Sequence, residues 1–487
     1  MLRPKMDVLS TDLIIKIFEE AVEVLKDPGV RIENQPALSL IEAAGGVVDR
    51  KNNTARLSEV IIKKTIDSAP SEFVLYDLAG NPAVCYGGDA IHFDPGSAAI
   101  FFLDSKTGKH RQPVTQDFIN FVKVVDKLPQ LDAQSTAFVC SDVPKEMGDW
   151  YRLYLALNYM QKPIITGAFG KDTWWTMKEM LTVAAGGEEE LAAKPIAVFD
   201  VCPSPPLLWS DLTCQNLIDC AKTCIPAQLV SMPLAGATAP VTLAAAVVQH
   251  TAECLSGLVI NQLANPGAPI IWGGSPSIFD MKNGTTPMGA AGTWLVDAAY
   301  VQIGKYLNLP THVYMGMSDA KIIDAQSGLE SMGGALVAAL IRANMISGAG
   351  MLDFESCQSL EKLVIDAEII GLAKRVVEGI EVRDDPIGIE LMREMGHHAG
   401  YLSHPHTRKW FREEFYLPSG VIDRSSYDGW ENEGSKTINE RASERVNQLL
   451  DSYEPTELAN EVLSEIHTIA DREAKKLGIS SLQAIPG

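Results

Sequence analysis

Residues 162–202 read KPIITGAFGKDTWWTMKEMLTVAAGGEEELAAKPIAVFDVC. A short apolar run, 163–168, follows a Lys-Pro step. Residues 173–185 then carry apolar side chains at helical spacing, and Gly186-Gly187 closes them. A second Lys-Pro step leads into a second apolar run, 196–201. Strand, helix and strand in this order make one β-α-β unit, which requires a parallel sheet and a right-handed crossover.

The same rhythm extends in both directions. Strand candidates lie at 99–103, 133–139, 163–168, 196–201, 227–231, 269–272, 312–314 and 351–354. Helical patterns lie between or after them, at 116–127, 147–160, 173–185, 212–223, 241–264, 290–307, 329–346 and 360–378. Proline enters the strand at Pro163, Pro195, Pro226, Pro269 and Pro310. Eight such units favour closure into a (β/α)8 TIM-type barrel over an open doubly wound sheet. No G-x-G-x-x-G follows the first strand, so a dinucleotide-binding sheet has no support. In such a barrel the working residues are expected just after the strands.

The ends of the chain break the rhythm. Residues 1–90 read as a cap of three helices (12–25, 35–44, 58–68) and a hairpin (73–77 with 83–86). The expected division is therefore a cap at 1–90, the catalytic barrel at 91–380, and a loop and helical extension at 381–487.

Composition narrows the function. The chain has 41 Lys and Arg against 62 Asp and Glu, a net charge of −21. Nucleic acid and anionic membranes both need clustered basic residues, so neither is an expected partner. No secretory leader is visible at the N-terminus, and no run of 18 apolar residues occurs; 241–248 reads as core helix. Eight scattered cysteines without a C-x-x-C read as reduced thiols of a cytoplasmic protein.

The strand ends are rich in aromatics, sulfur and glycine. They include Phe93-Asp94-Pro95-Gly96, Phe199-Asp200-Val201-Cys202, Trp272-Gly273-Gly274-Ser275, Tyr314-Met315-Gly316 and Phe354-Glu355-Ser356. Aromatic faces beside carboxylates suit an organic cation, at roughly 0.5–2 kcal/mol per ring. Any one ring could equally cap the hydrophobic core. The expected cage is Phe93, Phe199, Trp272, Tyr314 and Phe354. A polar cluster of Asp319, Gln326 and Glu330 lies in the loop after the seventh strand candidate and at the start of its helix. It supplies the catalytic candidates, although capping a helix accounts for Asp324. His397, His398, His404 and His406 match no zinc spacing, so no metal is expected. Hydrolase, P-loop, zincin and kinase motifs are all missing.

Three segments carry a resemblance: Trp272-Gly273-Gly274; Gly316-Met317-Ser318-Asp319-Ala320-Lys321 with Asp324-Ala325-Gln326 and Glu330; and Gly348-Ala349-Gly350-Met351-Leu352-Asp353. Together they resemble the trimethylamine methyltransferase family of corrinoid-dependent enzymes, along nearly the whole chain. The resemblance implies a barrel and transfer of a methyl group from a methylated amine to Co(I). The corrinoid would be supplied by a separate protein docked over the mouth, with no cofactor held tightly by this chain. Gly273, Gly274, Gly316 and Ser318 would then face the corrinoid. Founding members of the family carry pyrrolysine, whereas this sequence has only the twenty standard residues. It is in this similar to relatives that act on quaternary amines: glycine betaine first, then proline betaine, carnitine or γ-butyrobetaine.

The chemistry agrees with that departure. A quaternary ammonium leaves as a neutral amine and needs no general acid, only desolvation and in-line aim. A betaine also needs donors for its carboxylate. The candidates are His312, Arg342, His397 and the N–H groups of Gly273 and Gly274. Homo-oligomers are expected. The competing readings are a zinc- or cobalamin-dependent barrel enzyme of other specificity and a non-catalytic betaine-binding subunit.

Overall fold

The computed structural model describes residues 3–397, 400–455, 458–480 and 482. At its centre lie the parallel strands β1 (His92–Pro95), β2 (Gln134–Ser135), β3 (Ile164–Thr166), β4 (Ala197–Val201), β5 (Ala227–Leu229), β6 (Ile270–Ile271), β7 (His312–Tyr314) and β8 (Met345–Ala349). Each precedes a helix: α1 (Thr115–Lys127), α2 (Trp150–Tyr159), α3 (Lys171–Ala185), α4 (Asp211–Thr223), α5 (Leu243–Ala264), α6 (Ala291–Tyr306), α7 (Ala325–Leu340) and α8 (Leu360–Glu378).

β2 to β6 form one sheet in chain order, and β7, β8 and β1 form another. All pairings within the two sheets are parallel. Backbone bonds span both seams between them. Trp272 bridges Thr311 in parallel, and His312 N–H donates to Trp272 O at 3.0 Å. On the other side Asp132 N–H donates to Phe93 O at 2.7 Å, and Ala99 bridges Phe138.

The proline rhythm has a physical cause. A proline at strand entry has no N–H to pair but still offers its carbonyl to the neighbouring strand. Pro163, Pro226, Pro269 and Pro310 accept from Gln134, Phe199, Ala227 and Trp272 at 2.7–3.2 Å. Pro195 instead accepts from Tyr76 of the N-terminal hairpin at 2.9 Å.

Two strand expectations need correction. The first inner strand is β1; residues 101–104 belong to a separate sheet with Lys109–Arg111, Met351–Leu352 and Cys357–Gln358. The last inner strand is β8, not 351–354. Its residues continue the apolar spacing of α7, yet the helix stops at Leu340 because Arg342 takes a left-handed φ of 59°.

The N-terminal helices Thr11–Lys26, Gln35–Ala43 and Glu59–Ser68 pack on α5. Among the described residues α5 is the one helix long and apolar enough to cross a bilayer, but most of it is buried inside the protein. The hairpin Phe73–Tyr76 with Pro82–Tyr86 closes the N-terminal end of the strands. Its Leu75, Val84 and Tyr86 cluster with the inward Ala133, Ile165, Val198, Ile271 and Met345. Near the C-terminus, Ile438–Asp451 packs on α8 and α1, and Asn460–Lys476 on α3 and α2. Between α8 and these two helices, residues 380–417 expose Ile380, Val382, Ile387, Met392, Leu402, Phe415 and Leu417.

Candidate active site

Strand alternation builds the site. In β4, Val198 points inward to the apolar floor, and Phe199 points outward, packing on Trp174 of α3 with ring centroids 5.7 Å apart. Asp200 therefore points inward again, one layer above the floor. Gln228 of β5 donates to its Oδ1 at 2.6 Å, and the Tyr314 hydroxyl of β7 donates to its Oδ2 at 3.0 Å. That hydroxyl also pairs with Ser97 Oγ at 2.8 Å. Since Tyr314 gives its proton to Asp200, Ser97 is the donor in the second bond.

Beside this group lies a second buried set. Ser347 Oγ donates to Asp94 Oδ1 at 2.5 Å, and His312 Nε2 lies 2.9 Å from the same Oγ. Because the serine proton goes to Asp94, His312 donates from Nε2. Burial lowers its pKa to about 3, so the ring is neutral.

Above Asp200 is a cavity of about 580 Å3 at the C-terminal ends of the strands. Ser97, Thr136, Arg152, Phe169, Asp200, Cys202, Met232, Tyr314, Phe354 and Glu355 line it. Asp353, Phe354 and Glu355 run through φ values of 51°, 57° and 69°, three non-glycine residues in succession in the left-handed region. That costs roughly 1–2 kcal/mol per residue. The turn is held by Ser356 N–H on Asp353 O at 3.0 Å and by Ile100 and Phe101 N–H on Ser356 O at 3.1 and 3.0 Å. It sets Phe354 and Glu355 into the cavity wall, and strain of this sort concentrates at functional sites. Ser97 N–H reaches Glu355 Oε1 at 3.4 Å.

The electrostatics are unusual for carboxyl groups. Burial raises Asp200 to about 7, against the opposing pull of the Tyr314 and Gln228 bonds. Burial raises Glu355 to about 8, and the charge of Asp200 adds to the rise. Near neutral pH both groups are therefore partly protonated.

The expected residues divide on this geometry. Tyr314 and Phe354 line the cavity. Phe354 already has a cation on its ring, Lys321 Nζ at 3.8 Å from the centroid. Phe93, Phe199 and Trp272 are buried outside the cavity lining. Phe93 lies beneath Lys374 of α8, and Trp272 Nε1 donates to Tyr300 O of α6 at 3.0 Å. His312 is in the buried layer below the cavity, with its ring edge against Tyr314.

Asp319, Gln326 and Glu330 do not line the cavity; they lock a loop. Asp319 accepts the N–H groups of Met288 and Gly289 at 2.8 and 3.0 Å. Glu330 accepts from Ser318 Oγ and Asp319 N–H at 2.6 and 2.8 Å, and from Gln326 at 2.9 Å. Ser318 is thus a donor within that lock, and Gly316 is packed on Ala335 of α7. A Cβ on Gly273 would lie 2.7 Å from Leu229 O, and one on Gly274 2.3 Å from His250 Nε2. These two glycines therefore allow close packing.

Arg342 pairs with Asp89 and Arg3 O, away from the cavity. His397 is exposed, and His398 lies outside the described residues. His404 lies 3.5 Å from Glu394 and His406 3.1 Å from Asp384. Among the described residues no three His, Cys, Asp or Glu side chains form a metal-binding group.

Arg152 is not among the sequence-based candidates, and Asp200 and Glu355 occur within the quoted strand-end segments without being chosen as site residues. Phe93, Phe199 and Trp272 each sit one position from the inward residue. Parity along the strand, set by the apolar Ile165 and Val198 below, is the signal that finds Asp200.

The model of the trimethylamine methyltransferase (MTTB) family matches residues 2–478. The chain is 30% identical over 479 residues to the glycine betaine methyltransferase of Desulfitobacterium hafniense strain Y51, covering 98% of this chain and 99% of that protein. It is 29% identical over 471 residues to the trimethylamine methyltransferase MttB of D. hafniense strain DCB-2, with 97% and 95% covered. It is 30% identical over 477 residues to MttB of Methanosarcina barkeri, with 97% and 96% covered. The M. barkeri monomethylamine methyltransferase MtmB superposes with a TM-score of 0.55 at 12% identity, over 91% of this chain and 89% of that one. At that identity the likeness speaks to the fold alone.

Proposed function

The chain belongs to the trimethylamine methyltransferase family, and from that premise we propose that it transfers a methyl group from a quaternary amine to the Co(I) of a corrinoid on a separate protein. Glycine betaine is the favoured substrate class. The observation that carries this reading is the pairing, in one cavity, of two inward carboxyl groups, Asp200 and Glu355, with the rings of Tyr314 and Phe354. Such a wall holds a permanent cation by charge and by ring quadrupole. The two parallel sheets, bonded across both seams, support one closed (β/α)8 barrel whose mouth is this cavity.

The rim supports a docked partner. Ile100, Phe169, Met232, Met281 and Ile322 come from loops after different strands, and all are exposed. Such a rim would be buried against a partner surface, whereas the amine would sit in the cavity below. The corrinoid supplies the nucleophile. This chain's residues do the rest. Asp200 and Glu355 balance the ammonium charge, Tyr314 orients Asp200, and the apolar floor and walls keep water from the reacting methyl group.

Eight free cysteines support a reducing, cytoplasmic setting. The exposed apolar side chains of 380–417 support self-association. Light scattering of the purified protein checks the latter.

The test is a panel of trimethylamine, choline, tetramethylammonium and betaines incubated with chemically reduced cob(I)alamin. Methylcobalamin formed from a quaternary amine is the expected result. Activity on trimethylamine and on no quaternary amine would overturn the reading.

A further inference from the structure

Arg152, on α2, has a side chain only 2% exposed, and it lines the cavity. Two of its three nitrogens are committed to main-chain carbonyls. Nε donates to Gly148 O and Nη1 to Thr136 O, both at 2.5 Å. The ring of Phe169 covers the guanidinium, 4.8 Å from its carbon to the centroid. Nη2 has no hydrogen-bond partner among the described residues.

No carboxylate pairs directly with the guanidinium, although the charge of nearby Asp149 opposes part of the cost of burial. Among the described residues Arg152 makes no ion pair within 4.0 Å. The carboxylate of Asp149 is engaged elsewhere: it accepts from Trp150 N–H at 2.7 Å, Phe169 N–H at 2.7 Å and Thr173 Oγ1 at 2.5 Å. Burial lowers the Arg152 pKa only to about 10, so the group stays charged at neutral pH. A buried guanidinium with no anion bonded to it is costly unless an anion arrives to meet its free edge. The two carbonyl bonds and the Phe169 stack fix the plane of the fork, so the free edge is preorganised.

We propose that Arg152 is the receptor for a carboxylate at the far end of the substrate, so that the cavity is built for a zwitterion, with the ammonium held at Asp200 and Glu355 and the carboxylate at Arg152 Nη2. This rests on the quaternary-amine reading and sharpens it to carboxylated betaines. Trimethylamine, tetramethylammonium and choline lack the group that Arg152 requires. A purely structural role, clamping Gly148 and Thr136, would use the same two bonds but would not sense the substrate's carboxylate.

Glycine betaine and tetramethylammonium share the ammonium and differ in the carboxylate, so their ratio isolates the inference. Binding is measured by calorimetry and turnover by cob(I)alamin methylation, on wild type, Arg152→Lys and Arg152→Gln, with thermal melts as the folding check. Wild type is expected to prefer glycine betaine by roughly 10- to 100-fold, the value of one charge-assisted bond. Arg152→Gln is expected to bring that preference to within a few-fold, and Arg152→Lys to retain part of it. Loss of both ligands by the same factor overturns the inference and leaves a structural clamp. A wild type without preference for the carboxylated amine also overturns it. The binding arm keeps the two readings apart. If no quaternary amine is turned over, the methyl-transfer reading fails. In that event, glycine betaine binding that is lost in Arg152→Gln still supports the carboxylate receptor, whereas unchanged binding overturns it.

Discussion

If the ammonium of the substrate sits at Asp200 and Glu355, as proposed, their protonation makes its binding depend on pH. The ligand has no ammonium proton to gain or lose, so any pH dependence near neutrality belongs to the protein. A carboxyl group with a pKa of about 7 is half protonated at pH 7, and one at about 8 is roughly nine-tenths protonated. If the ammonium expels both protons, binding at pH 7 releases about 1.4 protons, falling to about 0.1 at pH 9. The sign follows from the direction of the shifts. Raised carboxyl pKa values disfavour the charged form that the cation needs, so affinity rises with pH and levels off above about 8. Between pH 9 and pH 6 the dissociation constant should weaken about 100-fold if Glu355 alone ionises, and about 1000-fold if both groups do. The two groups interact, so the titration will report values for the pair. The assay is calorimetric titration of glycine betaine or tetramethylammonium at several pH values, in buffers of different ionisation enthalpy. Glu355→Gln should remove most of the proton release at pH 7. An affinity that is flat from pH 6 to 9, with no net proton release, would refute the assignment of these carboxyls to the ammonium.

Other expectations separate the scaffold from the site. Glu330→Ala should lower stability by about 1–3 kcal/mol in denaturant melts, because it strands Ser318 and Asp319 N–H, while the KM for the amine changes little. A large selective loss of kcat in a stably folded Glu330→Ala protein would restore a direct catalytic role. Tyr86→Phe should be neutral or stabilising by about 1 kcal/mol in thermal melts, since the buried hydroxyl has no hydrogen-bond partner among the described residues. Gly274→Ala should destabilise by about 1–3 kcal/mol, because the added methyl meets His250 on α5.

The scaffold was legible where the residues obey one rule at a time. Proline at strand entry marks positions where a carbonyl but no N–H is needed, and the helices between follow their apolar stripes. The failures have a shared cause. Near the mouth several strands carry polar or small residues on the inner face, and Phe93, Phe199 and Trp272 turn outward, so all but one of the conspicuous strand aromatics, the inward Tyr314, marked the wrong parity. β1 was passed over because His92-Phe93-Asp94-Pro95 serves the site as much as the core, whereas Phe101-Phe102-Leu103 next door looks more like a strand. Arg152 was invisible for another reason. Its helix α2 is buried nearly all round, so periodicity does not single out the one charged residue facing the cavity.

The polar lock at Ser318, Asp319 and Glu330 and the tight glycines at 273 and 274 carry much of the family resemblance, yet none of them lines the cavity. What they hold in common is the height of the rim. Asp319 ties the β7 loop to the β6 loop through Met288 and Gly289, and Ala320 O accepts Asp353 N–H at 2.9 Å, tying the β7 loop to the strained turn after β8. The turn that presents Phe354 and Glu355 is therefore braced by the loop that the lock fixes. At the other end the hairpin seals the strands with Leu75, Val84 and Tyr86. On the proposed reading, amine and methyl acceptor then share one mouth. The amine must enter before the acceptor covers it, and the demethylated product must wait for the acceptor to leave. A rim of fixed height over a sealed floor sets the distance between the ammonium and whatever docks above it. In a reaction that depends on in-line aim, that distance is what a scaffold can contribute.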